Sequence, residues 1–170
     1  GREVRSLDGH TGSVFAVSVT PDGYVVSGSS DKTIRVWDVV TGREVRKLEG
    51  HTAGVWAVTV TSSGQYIVSG SDDNSVRVWD VATGCEVRKL EGHTGAVRAV
   101  TVTPDGLVVS GSNDKSVRIW DIETGCEVRM LKGALTVTAV CVTRNGGDAD
   151  SGSGDNSVRA WDRGPESCKL

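Results

Sequence analysis

Serine, histidine and aspartate are the side chains from which hydrolases assemble a nucleophile, a general base and an orienting carboxylate. This chain carries the set three times. His10, Ser27 and Asp31 recur as His51, Ser69 and Asp73, and again as His93, Ser110 and Asp114. A tryptophan follows each set: Trp37, Trp79 and Trp120. The recurrence argues against catalysis, because a triad is normally built once, at a single reacting centre. Zinc is equally poorly served. The three histidines belong to different repeats, and none has a cysteine or second histidine nearby to complete four ligands. No enzyme activity, metal or cofactor is expected.

The elements that position these residues are read from self-similarity. At a lag of 41 or 42 residues nearly the whole chain aligns on itself, with repeats starting at Gly1, Gly42, Gly84 and Gly125. The second repeat gains one residue near Gln65. In the third, four runs have strand character: Glu86–Leu90, Val97–Thr103, Leu107–Ser112 and Ser116–Asp121. Thr103-Pro104-Asp105-Gly106 separates the second from the third, with proline presetting φ and glycine supplying a positive one. Asn113-Asp114-Lys115 makes another tight turn before the fourth. Helical periodicity is absent, and the valine and threonine content suits pleated sheet. The expected fold class is all-β, with one four-stranded sheet per repeat, and residues 1–170 form a single module. Strands such as Val14-Phe15-Ala16-Val17-Ser18-Val19 alternate only weakly, as expected of sheets covered on both faces by their neighbours.

Gly9-His10, Gly50-His51 and Gly92-His93 are followed, 27 or 28 residues after the histidine, by Trp37-Asp38, Trp79-Asp80 and Trp120-Asp121. Ser-Gly-Ser segments begin at Ser27, Ser69 and Ser110, and turn aspartates stand at Asp31, Asp73 and Asp114. This pattern resembles the WD-repeat β-propellers and covers essentially the whole chain. The resemblance implies a hydrogen-bonded network inside each blade. It would join His10, Ser27, Asp31 and Trp37; then His51, Ser69, Asp73 and Trp79; then His93, Ser110, Asp114 and Trp120. The physical sense is clear: a buried indole N–H, an imidazole and a carboxylate each need a partner, and a closed network satisfies all three.

The fourth repeat is eroded. Ala134 replaces the histidine, so no network can close around Ser151, Asp155 and Trp161. Asp148-Ala149-Asp150 replaces an apolar strand, and Arg144-Asn145-Gly146-Gly147 replaces the proline turn. This blade is expected to be the least stable. Asp148, Asp150, Gly152 and Asp155 faintly resemble a calcium loop, without its terminal glutamate, and a decayed strand is the simpler reading.

The first run of each repeat reads as the outer strand of the preceding blade. Residues 2–7 are therefore an outer strand without a blade of their own, and they match what the last blade lacks. The tail Arg163–Leu170 is too broken to serve instead. Four blades closing alone would need ~90° between neighbours, within the general range of about 4–8 blades but steep for this type. The expectation is a homodimer in which two chains share one eight-bladed ring. The rival is that the four repeats belong to a longer propeller.

Composition removes other classes. The net charge is −3, from 19 basic and 22 acidic residues spread evenly, so no basic face suits nucleic acid. No apolar run approaches the roughly 20 residues of a membrane-spanning helix. Cys85, Cys126, Cys141 and Cys168 lack CxxC spacing and read as free thiols of a reducing compartment. No signal peptide is visible and the expected location is cytoplasmic, although a chain beginning at Gly1 reads as an excised or processed piece.

What remains is binding, and where repeats are alike the informative positions are those that vary. Phe15, Trp56, Arg98 and Thr138 share one position of the innermost strands; Ser30, Asp72, Asn113 and Gly154 each precede the turn position. The resemblance places both sets at the top rim, beside the central channel. Trp56 is the one tryptophan outside the Trp-Asp dipeptides. Aromatic and arginine side chains are favoured interface anchors. The expected function is a non-catalytic protein-interaction scaffold binding proteins or peptides. The alternative is a self-assembling structural unit of amplified or designed repeats with no ligand of its own.

Overall fold

A computed structural model describes residues 1–133, 135–142, 148–153 and 157–162. Among them there is strand and turn but no helix, and hence no helix long and apolar enough to cross a membrane. β1 (Val14–Val19), β2 (Val25–Ser29), β3 (Ile34–Asp38) and β4 (Arg43–Leu48) form the first sheet, antiparallel and in chain order. β5 (Val55–Val60), β6 (Tyr66–Ser71), β7 (Val76–Asp80) and β8 (Glu86–Leu90) form the second. The third comprises β9 (Val97–Val102), β10 (Leu107–Ser112), β11 (Ser116–Asp121) and β12 (Glu127–Lys132). β13 (Val137–Val142), β14 (Asp148–Ser153) and β15 (Val158–Asp162) form the fourth.

Each complete sheet thus takes its fourth strand from the start of the next repeat. In the first, Ile34 pairs with Leu48 and Val36 with Arg46; in the second, Val76 pairs with Leu90 and Val78 with Arg88. The inner strands β1, β5, β9 and β13 lie against one another in succession, so the sheets stand side by side, closest at their first strands. The apolar core is accordingly divided. Val26, Ile34, Leu48, Val55, Ile67 and Trp79 pack between the first and second sheets. Val68, Val76, Leu90, Val97 and Trp120 pack between the second and third. Leu107, Val109, Ile119, Val137 and Ala149 pack between the third and fourth. A sheet covered on both faces has no solvent side, which accounts for its weak alternation.

The fourth sheet, expected to have no outer strand of its own, has three strands among the described residues. Residues 2–7, expected as an outer strand for a last blade, form no strand in the single chain, and a strand forms only against a partner edge. One expectation needs correction. Asp148 to Asp150, read as decayed, belong to the regular strand β14, which pairs with both neighbours. Ala149 at its centre is fully buried. The ladder is made by backbone groups, so the acidic substitutions leave the register intact. The readings that fall on Ala134, Arg144 to Gly147, Gly154, Asp155 and Arg163 to Leu170 lie outside the described residues. Cys85, Cys126 and Cys141 are free thiols; Cys168 lies outside.

Candidate functional site

Two sites come from the repeat pattern, one inside the sheets and one at their edge. Inside the first three sheets, the structure brings together all four residues of each set. His10 Nδ1 lies 2.8 Å from Asp31 Oδ2 and its Nε2 2.8 Å from Ser27 Oγ, to which the Trp37 indole donates at 2.8 Å. The distances for His51, Ser69, Asp73 and Trp79 are 2.8, 2.8 and 2.9 Å. For His93, Ser110, Asp114 and Trp120 all three are 2.8 Å.

Strand register fixes half of this arrangement. Trp120 pairs across the ladder with Val108, two residues before Ser110 on β10, so the indole reaches along the strand to the hydroxyl. The histidine arrives from the loop before the inner strand. The aspartate holds the turn between the second and third strands through Oδ1, to which Thr33 donates both its N–H (3.0 Å) and its hydroxyl (2.7 Å). The Thr11 N–H adds a bond to Oδ2 at 3.0 Å. Those bonds hold Lys32, Asn74 and Lys115 in left-handed backbone (φ 72°, 67° and 71°), a conformation unfavourable for lysine.

Serine, histidine and aspartate here have the connectivity of a catalytic triad, and their surroundings explain why they cannot act as one. With Nδ1–H donating to the carboxylate, Nε2 accepts the serine proton, while the indole N–H donates to one serine lone pair. Ser69 and Ser110 are fully buried and Ser27 nearly so, so no substrate carbonyl can approach the hydroxyl. Burial opposes ionisation of Asp114, yet hydrogen bonds from Ser116, His93 and the Thr94 N–H lower its pKa to about 2. Asp31 and Asp73 are likewise held below the ordinary carboxylate range against burial, by Thr33 and His10 and by His51 and Ser75 respectively. Burial lowers the His93 pKa, against the pull of Asp114.

The hydroxyls of Thr33, Ser75 and Ser116 are members of the networks that sequence reasoning missed. They donate to the aspartates at 2.7, 2.6 and 2.6 Å. Their signal was present, since a hydroxyl residue stands two positions after every turn aspartate. Also missed were Arg35, Arg77 and Arg118, which pair with Glu44, Glu86 and Glu127 on the outer strands. In the fourth sheet the Trp161 indole still donates to Ser151 Oγ at 2.8 Å. Of the calcium-like pattern, Asp150 lies on a strand, with Cys141 Sγ 3.8 Å from its Oδ2.

At the edge, the variable residues of three successive inner strands form a ladder. The Phe15 and Trp56 rings stack at 4.1 Å between centroids and 2° between planes. The Arg98 guanidinium lies over the other face of Trp56, 4.1 Å from its centroid. Arg98 in turn pairs with Asp72 at 3.3 Å and donates to Asn113 Oδ1 at 3.3 Å. Ser30 is exposed and lies beside Gly54, as do Asp72 and Phe15. Thr138 is exposed, its hydroxyl 3.5 Å from the Gly152 carbonyl. The Trp56 indole N–H is buried and has no partner among the described residues.

Residues 1–38, 42–80 and 84–121 each match the family described as WD domain, G-beta repeat. Ribosome biogenesis protein BOP1 homologs of Drosophila grimshawi and Drosophila melanogaster are 57% identical over 35 residues, which is 20% of this chain and 4% of theirs. The chain therefore matches a small fraction of those relatives' length. The crystal structure of the computationally designed Ika4 protein superposes with a TM-score of 0.85 at 37% identity, covering 95% of this chain and 98% of that one.

Proposed function

Because this chain belongs to the WD-repeat family, we propose that it is a non-catalytic interaction scaffold, holding a protein or peptide on the rim built from Phe15, Trp56 and Arg98. The observation that carries this reading is the ladder itself. Two aromatic rings and a guanidinium, each from a different sheet, are stacked where the fold requires no particular residue. Phe15, 40% exposed, ends it with an open ring edge. An unsatisfied buried donor such as the Trp56 N–H costs roughly 1–3 kcal/mol, so its retention argues for a demand other than stability. Thr138, Ser30, Asp72 and Asn113 would make the polar border of the contact. Free thiols at Cys85, Cys126 and Cys141 support a reducing compartment such as the cytoplasm.

The test is a peptide selected from a display library against the wild-type chain and titrated by fluorescence anisotropy. Replacing Trp56 and Arg98 together by alanine should weaken it at least about a hundredfold, the loss typical of paired interface anchors, with cooperative melting retained. Unchanged affinity would move the site elsewhere.

A second reading is favoured by the near-complete superposition on a designed protein and by uncovered apolar side chains at both ends of the array. In it the chain is a self-assembling structural unit with no ligand of its own, a homodimer completing one eight-bladed ring. The ring itself suits either reading, and the two part on whether the rim holds a ligand.

A further inference from the structure

Resting on that self-assembly reading, we infer that a second copy of this chain docks through a specific knob-and-notch joint. Val14 and Val17 of one copy fill the space at Gly152 of the other, and residues 2–7 pair along β15.

The chain displays this joint three times internally. A side-chain carbon built at Gly28 would lie 2.8 Å from Val55 and 3.0 Å from Val58 of the next sheet. At Gly70 the corresponding intruders are Val97 and Val100, at 2.6 and 3.1 Å; at Gly111 they are Val137 and Val140, at 2.5 and 2.9 Å. Each glycine is thus a notch that a pair of valines occupies. Gly152 is the fourth notch and, among the described residues, no valine enters it: such a carbon there would meet Ala139 of its own sheet, at 3.5 Å.

The matching knobs are at the other end of the chain. Val14 and Val17 are 49% and 68% exposed, whereas Val55 and Val58, their counterparts one repeat on, are 0% and 8% exposed. The two ends therefore offer complementary halves of one contact. They cannot meet within one copy, because the knobs stand exposed.

The N-terminal segment is already placed for this role. The Arg5 side chain packs on Gly42 as Arg46 packs on Gly84 and Arg88 on Gly125. Arg46 and Arg88 lie on outer strands and reach the next sheet's turn, donating to Val81 O and Glu123 O. Arg5 thus does the work of an outer strand whose sheet is missing. The register of β3 with β4, carried over, sets Leu7 opposite Val158, Arg5 opposite Ala160 and Glu3 opposite Trp161. Val158 is 80% exposed where its counterpart Ile34, under Leu48, is fully buried.

A head-to-tail contact closes only at certain copy numbers. Two copies make eight sheets, inside the observed range of about 4–8 for propellers, and three would make twelve, outside it.

Light scattering of the intact chain decides the matter. The expected mass is twice the 17.9 kDa of one chain. Val17→Lys puts a charge into the joint, and Gly152→Val fills the notch with space for a valine in the single chain. Each should raise the dissociation constant at least about a hundredfold, the scale of a buried unpaired charge or an overpacked contact met twice per dimer. Circular dichroism matching wild type confirms that each variant still folds. A second check joins two copies into one polypeptide, expected to run at the same doubled mass without further association. If the wild type stays at single-chain mass at 100-fold its working concentration, self-assembly and the joint both fail. If it dimerises and both variants still dimerise, self-assembly stands and the joint is overturned. A mass of three copies or more overturns the two-copy ring.

Discussion

The third and fourth sheets follow one sequence plan and differ in what surrounds them. Val117 is 1% exposed on β11, while Val158 at the same place on β15 is 80% exposed. The Trp–Ser bond survives in both, at 2.8 Å, because it depends only on strand register. The histidine half of the network depends on a residue that the fourth repeat replaces with Ala134. The contrast separates two properties usually found together: a repeat's own residues specify pairing and twist, and its neighbours specify burial.

Tryptophan provides the strongest way to break this comparison. Trp120→Ala removes a side chain that is 1% exposed and should cost about 3–5 kcal/mol in urea unfolding. Trp161→Ala, on a half-buried ring, should cost less than half as much. Equal losses would mean that burial in the two sheets is alike. His93→Ala turns the third sheet into a copy of the fourth and should cost about 1–3 kcal/mol, chiefly by stranding Asp114 and Ser110. The Trp120 indole proton, still bound to Ser110, should keep its NMR shift. A large change would place the histidine among the groups that fix the tryptophan.

Acid sharpens the comparison more gently. The His93 pKa is lowered on folding, so the unfolded chain binds the proton first. Stability from this group is whole above about pH 6.5 and declines below it. The Asp114 pKa falls from 3.8 to about 2, so its contribution is whole above pH 3.8 and is lost between there and about pH 2. Hydrogen-exchange protection factors, corrected for the intrinsic rate at each pH, should fall in the third sheet between pH 7 and 5 before they fall in the fourth, which has no histidine. A simultaneous fall in both sheets would contradict the assignment.

Strand limits were legible because the turns are chemically explicit. Pro104, Asp105 and Gly106 end β9 and start β10, and the four runs read from the third repeat are β8 to β11 to within one residue. The sharing of outer strands was legible as well, since each repeat begins with a run it does not itself use. Contacts between repeats were not. Arg98 reaches Asp72 of the preceding sheet and valine pairs enter glycines of the preceding sheet. Those neighbours are set by the angle between sheets, which no single repeat encodes. The variable rim positions were visible as a pattern, but the stacking of Phe15 on Trp56 was not, because aromatic faces meet only when two sheets present them at one height.

The division of the core into separate layers has a consequence for descent. Each apolar layer is shared by just two adjacent units, so a gene duplication inserts one more unit and one more layer, while a deletion removes one of each. Chains of this kind can lengthen or shorten without redesign of what stays behind, and a terminal unit is free to accumulate changes that an internal one would reject. Among the described residues β14 borders one such layer, and its acidic run is the kind of change that such tolerance admits.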